Sequence, residues 1–251
     1  MSKVRKIIYI SFLVLSTSAF SFANSELDDP YENSNRAINN FNDKVDTFIL
    51  RPVSIGYSFL PNPIEEGIAN ALENVGEPIN FTNYIFQGNL RGAGDATASF
   101  LINTTLGIVG LASPAEILGL NAQKEDVGQT LGAYGFGPGC YFVLPVLGPT
   151  TVRDSIGSLA NVLGGDAWYN VTVANDTRYF NEADYWLSRL TAGVDFRAKN
   201  LESFDSLEKT SLDLYASIRS LYLQDRQRKI QNIDETTETL SDDDWEELES
   251  Q

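Results

Sequence analysis

The chain of 251 residues contains no histidine and a single cysteine, Cys140. The lack of histidine removes Ser-His-Asp and Cys-His catalysis, the usual zinc ligands and the commonest general base. A lone cysteine cannot pair within the chain, so no internal disulfide is expected, and Cys140 reads as a small apolar side chain in a crowded place. Phosphate-binding and nucleophile motifs are missing as well: there is no GxGxxG and no GxSxG. Gly132, Gly135, Gly137 and Gly139 cluster without a P-loop lysine, which favours tight backbone packing over a phosphate cradle. An enzyme would have to use carboxylates, lysine or tyrosine. Glu65/Glu66 and Asp242 to Asp244 fall on solvated faces or in a tail, and the N-x-S/T triplets at Asn80, Asn103, Asn170 and Asn175 are too common to carry weight. Neither an enzyme nor a metal or cofactor is expected.

Positive charge is scarce. Eighteen Lys and Arg stand against 34 Asp and Glu, a formal net charge of −16, which disfavours nucleic acid and gives no electrostatic pull toward an anionic membrane. Membrane contact would therefore have to be hydrophobic. Charge of either sign is rare in the middle of the chain: from 96 to 175 it is confined to Glu116, Lys124, Glu125, Asp126, Arg153, Asp154 and Asp166. A buried centre wrapped by the two ends explains this, and so does a surface facing hydrocarbon. No continuous apolar run there is fit for a spanning helix. The extreme case is DVGQTLGAYGFGPGCYFVLPVLGPTTVRD at 126–154, apolar between Asp126 and Arg153 yet too rich in Gly and Pro for a long helix.

Residues 1–23, MSKVRKIIYISFLVLSTSAFSFA, read as a secretory signal peptide: a basic start, a short apolar run and small residues at Ser21 and Ala23. Its removal takes Lys3, Arg5 and Lys6 with it and moves the formal charge from −16 to −19. One domain is expected over 24–232, followed by an acidic, disordered tail at 233–251.

Helical spacing recurs along that domain. Asp29-Pro30 starts a helix carrying Ile38, Phe41, Val45 and Phe48, with Arg51-Pro52 as its predicted end. Asn62-Pro63 with Glu65 predicts a second helix, with Ile64, Ile68, Leu72 and Val75 as its apolar stripe and Gly76 as its stop. Glu77-Pro78 restarts a short, largely buried helix around Ile79, Tyr84, Ile85 and Phe86, stopped at Gly88. Asn89 is a cap for the next, and Ser113-Pro114-Ala115-Glu116 reads as a capping box with Gly119 as stop. Further helices are predicted from Val152 to Gly164-Gly165, from Glu182 through Val194, and over 204–231 as one element. No convincing sheet is expected. CYFVLPV at 140–146 can be extended, but Pro145 argues against a central strand.

Arg36, Arg51 and Arg153 lie in or beside apolar segments. A buried arginine needs an acidic or carbonyl partner, for which Asp154 or Asp46 is available; the other reading is contact with an anionic headgroup.

A longer pattern resembles a known family. DPYENSNRAINNFN at 29–42, LRP at 50–52, NYIFQGN at 83–89, FLINTTLGIVGL at 100–111, DVGQTLGAYGFGPGCYFVLP at 126–145, GPTTVRD at 148–154 and SLDLYASIRSLYLQDR at 211–226 look, in order, like the MlaA (VacJ) family. The resemblance implies a mainly α, single, ring-like helical domain with Gly/Pro-rich irregular segments. It also implies phospholipid translocation at the periplasmic side of the outer membrane, in which mislocalised phospholipid is removed through an amphipathic channel and lipid asymmetry is kept. Implied partners are phospholipid, a trimeric porin and a soluble periplasmic lipid carrier. Asn35, Arg36, Asn42, Arg51, Asn83, Gln87, Asn103 and Arg153 become lipid-path candidates, and Phe100, Leu106, Ile108, Val109, Leu111, Tyr141 and Phe142 apolar lipid-facing candidates.

Three positions depart from that pattern. No cysteine closes the leader, Ala98-Ser99 precede Phe100 where an arginine is frequent, and Leu214 replaces a common proline. The alternative functions are a soluble periplasmic lipid-binding or scaffolding protein and, last, a hydrolase using two close, pKa-perturbed carboxylates in a cleft.

Overall fold

The computed structural model describes residues 29–120, 122–160 and 181–231. The leader, the helix end at Gly164-Gly165, the triplets at Asn170 and Asn175 and the acidic tail lie outside the described residues. The first pattern forms α1 (Glu32–Val45), which continues through a π turn, Asp46–Leu50, into α2 (Arg51–Tyr57). Arg51-Pro52 thus does not end the helix, contrary to expectation. Pro52 removes one amide donor and would crowd the carbonyl four residues back, and the wider π turn just before it makes room.

The predicted stop at Gly76 and restart at Glu77-Pro78 are absent too. α3 (Asn62–Gln87) runs unbroken for 26 residues through both Gly76 and Pro78. Pro78 deprives the Asn74 carbonyl of its helical donor, yet packing along α4 (Leu90–Thr105) carries α3 past that defect. α3 then stops at Gly88, left-handed at φ 75°, and the Asn89 side chain caps α4 by accepting from Gly92 N, as expected. Tyr84 folds its ring over this corner. Gly92 is required there, since a Cβ would lie 2.6 Å from the ring, and Ala93 and Ala96 complete a small apolar cluster with Tyr84.

α5 (Pro114–Ile117) begins after Ser113, but without the predicted side-chain cap. The cap comes from the neighbouring helix, whose Asn103 Oδ1 accepts from Ala115 N at 3.0 Å. α6 (Val127–Ala133) is capped by Asp126. A two-stranded antiparallel hairpin follows, β1 (Tyr141–Leu144) and β2 (Gly148–Thr151), pairing Tyr141 with Thr151 and Leu144 with Gly148. No sheet was expected, yet the segment that could be extended supplies β1 over Tyr141–Leu144, and Pro145 sits in the turn where no ladder donor is needed. The hairpin leads into α7 (Val152–Ala160).

α8 (Glu182–Lys199) carries a full capping box between Asn181 and Asp184. The single helix expected over 204–231 is instead α9 (Leu201–Thr210) and α10 (Leu214–Ile230). Asp213 forms the break: its carboxylate accepts from Ala216 N to cap α10 and also binds Arg36.

α1 holds the hairpin as a third strand would. Asn35 donates to Tyr141 O at 3.2 Å and accepts from Val143 N at 3.0 Å, while Asn42 donates to Leu144 O and accepts from Val146 N. Seven helical residues rise about 10.5 Å, and three strand residues span about 10 Å, so the two amides fall in register with the strand. Asn35 is 2% exposed. Asn35→Ala would strand a buried donor and acceptor and is expected to lower stability by about 2–3 kcal/mol; Asn42→Ala, nearer solvent, should lose clearly less. Chemical denaturation of both variants in detergent micelles checks the difference.

Candidate functional site

Helices at a protein surface ordinarily turn their apolar stripe inward. The second half of α3 does the reverse. Asn74, Glu77, Asn80 and Asn83 recur every three residues and are buried, whereas Phe81, Ile85 and Phe86 are 41%, 44% and 60% exposed. Ile85 and Phe86, expected inside, therefore point outward, while Tyr84 of the same set is buried as expected. Across the described residues, seventeen buried side chains are polar or charged and ten are apolar or small. Fully wetted, such a distribution would leave too little apolar burial to offset chain entropy.

The buried polar groups form two connected systems. The first joins α3 to residues 122–126 and α6. Asn80 donates to Glu77 Oε2 at 3.3 Å and accepts from Glu125 N at 2.9 Å. Gln87 donates to Glu125 Oε2 at 2.7 Å and to Thr130 Oγ1 at 3.2 Å, and Thr130 donates to Asn83 Oδ1 at 2.9 Å. Burial pushes both carboxyls up to about 7, only partly opposed by the amide hydrogen bonds from Asn80 and Gln87.

The second system joins α6, α7 and α10. Arg226 grips Asp126 through both terminal nitrogens, at 2.6 and 2.9 Å, and Asp154 through Nε and a terminal nitrogen. Asp154 also accepts from Arg153 Nε at 2.9 Å and from Tyr222 at 2.6 Å. Burial alone would raise the Asp154 carboxyl, but Arg153, Tyr222 and Arg226 outweigh it and hold the group at about 2. Gly128 and Gly157 allow the close crossing beneath: a Cβ on Gly157 would sit 2.5 Å from the Gly128 nitrogen. Tight packing, not a phosphate cradle, is what the glycines at 128 and 132 serve, Gly132 lying under Ile230.

The polar lipid-path candidates are bound into these and similar contacts. Asn35 and Asn42 hold the hairpin. Arg36 binds Asp213 and Glu32, and Arg51 binds Asp205, each bidentately or through two partners. Asn83 and Gln87 belong to the α3 system, and Asn103 caps α5. Asp46, offered as a partner for these arginines, is taken by Arg197 at 2.8 and 2.9 Å. Arg153 pairs with Asp154 as the structural reading required.

Of the apolar candidates, Leu106, Ile108, Val109 and Leu111 are 72%, 70%, 75% and 53% exposed, and Leu101 on α4 and Ile117 and Leu118 at the adjoining α5 are exposed as well. Phe100 and Phe142 are half-buried. Tyr141 is a correction: at 0% exposure it packs edge-on against Tyr215 and Tyr222 and meets no surface. Further exposed side chains gather on the π turn and α2 (Phe48, Ile49, Val53) and on the adjoining α8 (Trp186, Leu187, Leu190). Cys140 is half-buried.

A cavity of about 140 Å³ lies between the hairpin and α10, lined by Pro138, Thr151 and Arg153 and, from α10, by Leu223, Arg226 and Ile230. A groove of about 340 Å³ runs along α9 beside Asp205 and Lys209. Neither is lined by Glu77 or Glu125. Among the described residues no group of three or more His, Cys, Asp or Glu is placed to hold a metal ion, and no helix is long and apolar enough to cross a membrane.

Sequence and structure comparisons bear on this arrangement. The family model described as MlaA lipoprotein matches residues 27–229. An uncharacterised protein of Rickettsia bellii is 37% identical over 208 residues, 82% of this chain and 78% of that protein. The intermembrane phospholipid transport system lipoprotein MlaA of Haemophilus influenzae is 31% identical over 233 residues, 87% of this chain and 86% of that one. A chain solved in work on the structural basis for maintenance of bacterial outer membrane lipid asymmetry superposes with a TM-score of 0.69 and 30% identity, covering 81% of this chain and 99% of its own.

Proposed function

The chain belongs to the MlaA family, and from that premise we propose that it moves phospholipid between the outer membrane and the periplasm, without chemistry on the lipid, as a component that maintains lipid asymmetry. The observation that carries this reading is the inverted partition of side chains: hydrogen-bonded amides and ion pairs inside, Leu, Ile and Phe outside. Such a distribution is stable where hydrocarbon covers the outer face, because lipid then supplies the apolar surroundings that the interior lacks. Phe100, Leu106, Ile108, Val109 and Leu111 meet acyl chains in this arrangement, with Phe142 at the edge of the hairpin. Of the polar candidates Arg153, held by Asp154, lines the cavity beside Arg226.

The protein sits at the periplasmic side of the outer membrane, held there by its apolar outer face. A trimeric porin is the partner within the membrane, and a soluble periplasmic carrier receives the lipid. The test is purification after cell fractionation. Recovery in the outer-membrane fraction, a requirement for detergent and co-purifying phospholipid are expected. A monodisperse, lipid-free protein released by osmotic shock would overturn the reading in favour of a soluble periplasmic binding protein.

A further inference from the structure

Two buried carboxyls lie along the seam between α3 and residues 122–133, and among the described residues no cation bonds to either. Glu77 is 8% exposed and Glu125 5%. The side chain of one amide, Asn80, spans them, donating to the Glu77 carboxyl and accepting from the Glu125 backbone. The seam is rich in acceptors and poor in donors: Glu125 Oε1 and Gln129 Oε1 are both buried without a hydrogen-bond partner. A carboxylate only accepts, whereas a carboxylic acid contributes a donor, so a proton on either glutamate removes a buried charge and one on Glu125 also adds a donor where acceptors are in excess.

We infer that Glu77 and Glu125 form a proton-operated latch, closed on α3 when both carboxyls are protonated and loosened when they ionise. On α3, Glu73 opposes ionisation of Glu77; on the facing segment, Lys124 favours it. Asp126 opposes ionisation of Glu125, and Arg226 and Lys229 of α10 favour it. Lys124 is engaged with Glu73, Arg226 with Asp126 and Asp154, and Lys229 with Asp225. None of these cations bonds to the latch. α6 lies between the latch and α7, so loosening would reach the Gly128–Gly157 crossing.

The direction of the pH effect follows from the protons. Both groups move from an ordinary value of 4.5 to about 7 in the folded protein. Between those values the folded state holds protons that the unfolded or opened state releases. The closed seam is therefore fully favoured below about pH 4.5, weakens as pH rises, and reaches its floor above about 7.

The test is hydrogen exchange of residues 122–133 in detergent micelles between pH 6 and 8, corrected for intrinsic amide rates. Opening in the unaltered protein is expected to rise about tenfold per carboxyl. The isosteric double variant Glu77→Gln, Glu125→Gln should stay closed and lose the dependence. Carboxyl carbon-13 resonances of the two glutamates give an independent reading and should titrate near neutrality. Exchange that ignores pH, a dependence that survives in the double variant, or carboxyls that titrate below pH 5 would each overturn the latch.

Discussion

Arg226→Ala is expected to lower stability by about 3–5 kcal/mol, the range for removing one partner from a buried ion network. The arginine side chain is 12% exposed and its Asp154 partner 7%. One guanidinium ties α10 to Asp126, the cap of α6, and to Asp154 in the first turn of α7. Removing it leaves Asp126 with its capping role but no cation, and leaves Asp154 with Arg153 and Tyr222 alone. Arg226→Lys should also lose much of this, because an ammonium cannot reproduce the two-carboxylate fork. Arg36→Ala is the contrast. Its pair with Asp213 has the same geometry, but the side chains are 37% and 43% exposed, so water screens what the pair contributes and the loss should be far smaller. Denaturation midpoints in one detergent, compared across the three variants, decide it. An Arg226→Ala protein as stable as Arg36→Ala would mean that α10 is held by its apolar contacts instead.

How much of this was legible in the sequence depends on whether the decisive neighbour was local. Gly88 and Asn89 could be read directly, because a left-handed stop and a side-chain cap are settled within four residues. Asp126 and Asp213 are caps too, but each also binds an arginine a hundred or more residues away, and nothing near them in the chain announces it. The helix over 62–87 was misread at Gly76 and Pro78, since local breakers were weighed without the α4 surface that overrides them. The Asn35/Asn42 spacing was visible as a seven-residue repeat of the same amide. Its meaning needed the strand opposite. The inverted face of α3 was missed for a general reason: apolar periodicity gives a stripe, and only the surrounding medium says which way the stripe points. Nothing local marked Glu77, Glu125 or Arg226 as groups that the fold would bury.

The corner at 106–112 offers a way to separate the fold from its surroundings. Ile108 and Val109 stand at φ 53° and 59°, left-handed values that cost a β-branched residue on the order of 1–2 kcal/mol. The backbone imposes them. Val109 N donates to Thr104 O, Gly110 N to Asn103 O and Ala112 N to Gly107 O, while Asn70 donates to Leu111 O. Gly110 presses so closely on Asn74 that a Cβ would lie 2.8 Å from its side chain. A water-soluble protein would gain by placing Asn or Gly at these exposed positions, since asparagine tolerates the left-handed region far better. The double variant Ile108→Asn, Val109→Asn is therefore expected to hold or gain stability toward denaturant by about 1 kcal/mol. Its partition into phospholipid vesicles should fall by roughly 30-fold or more, the equivalent of losing about 2 kcal/mol of apolar burial. Opposite signs are the signature of side chains that lipid covers and protein does not. Reduced stability with unchanged partition would instead place this corner against protein, and would move the hydrocarbon contact to the other exposed group, on α2 and α8.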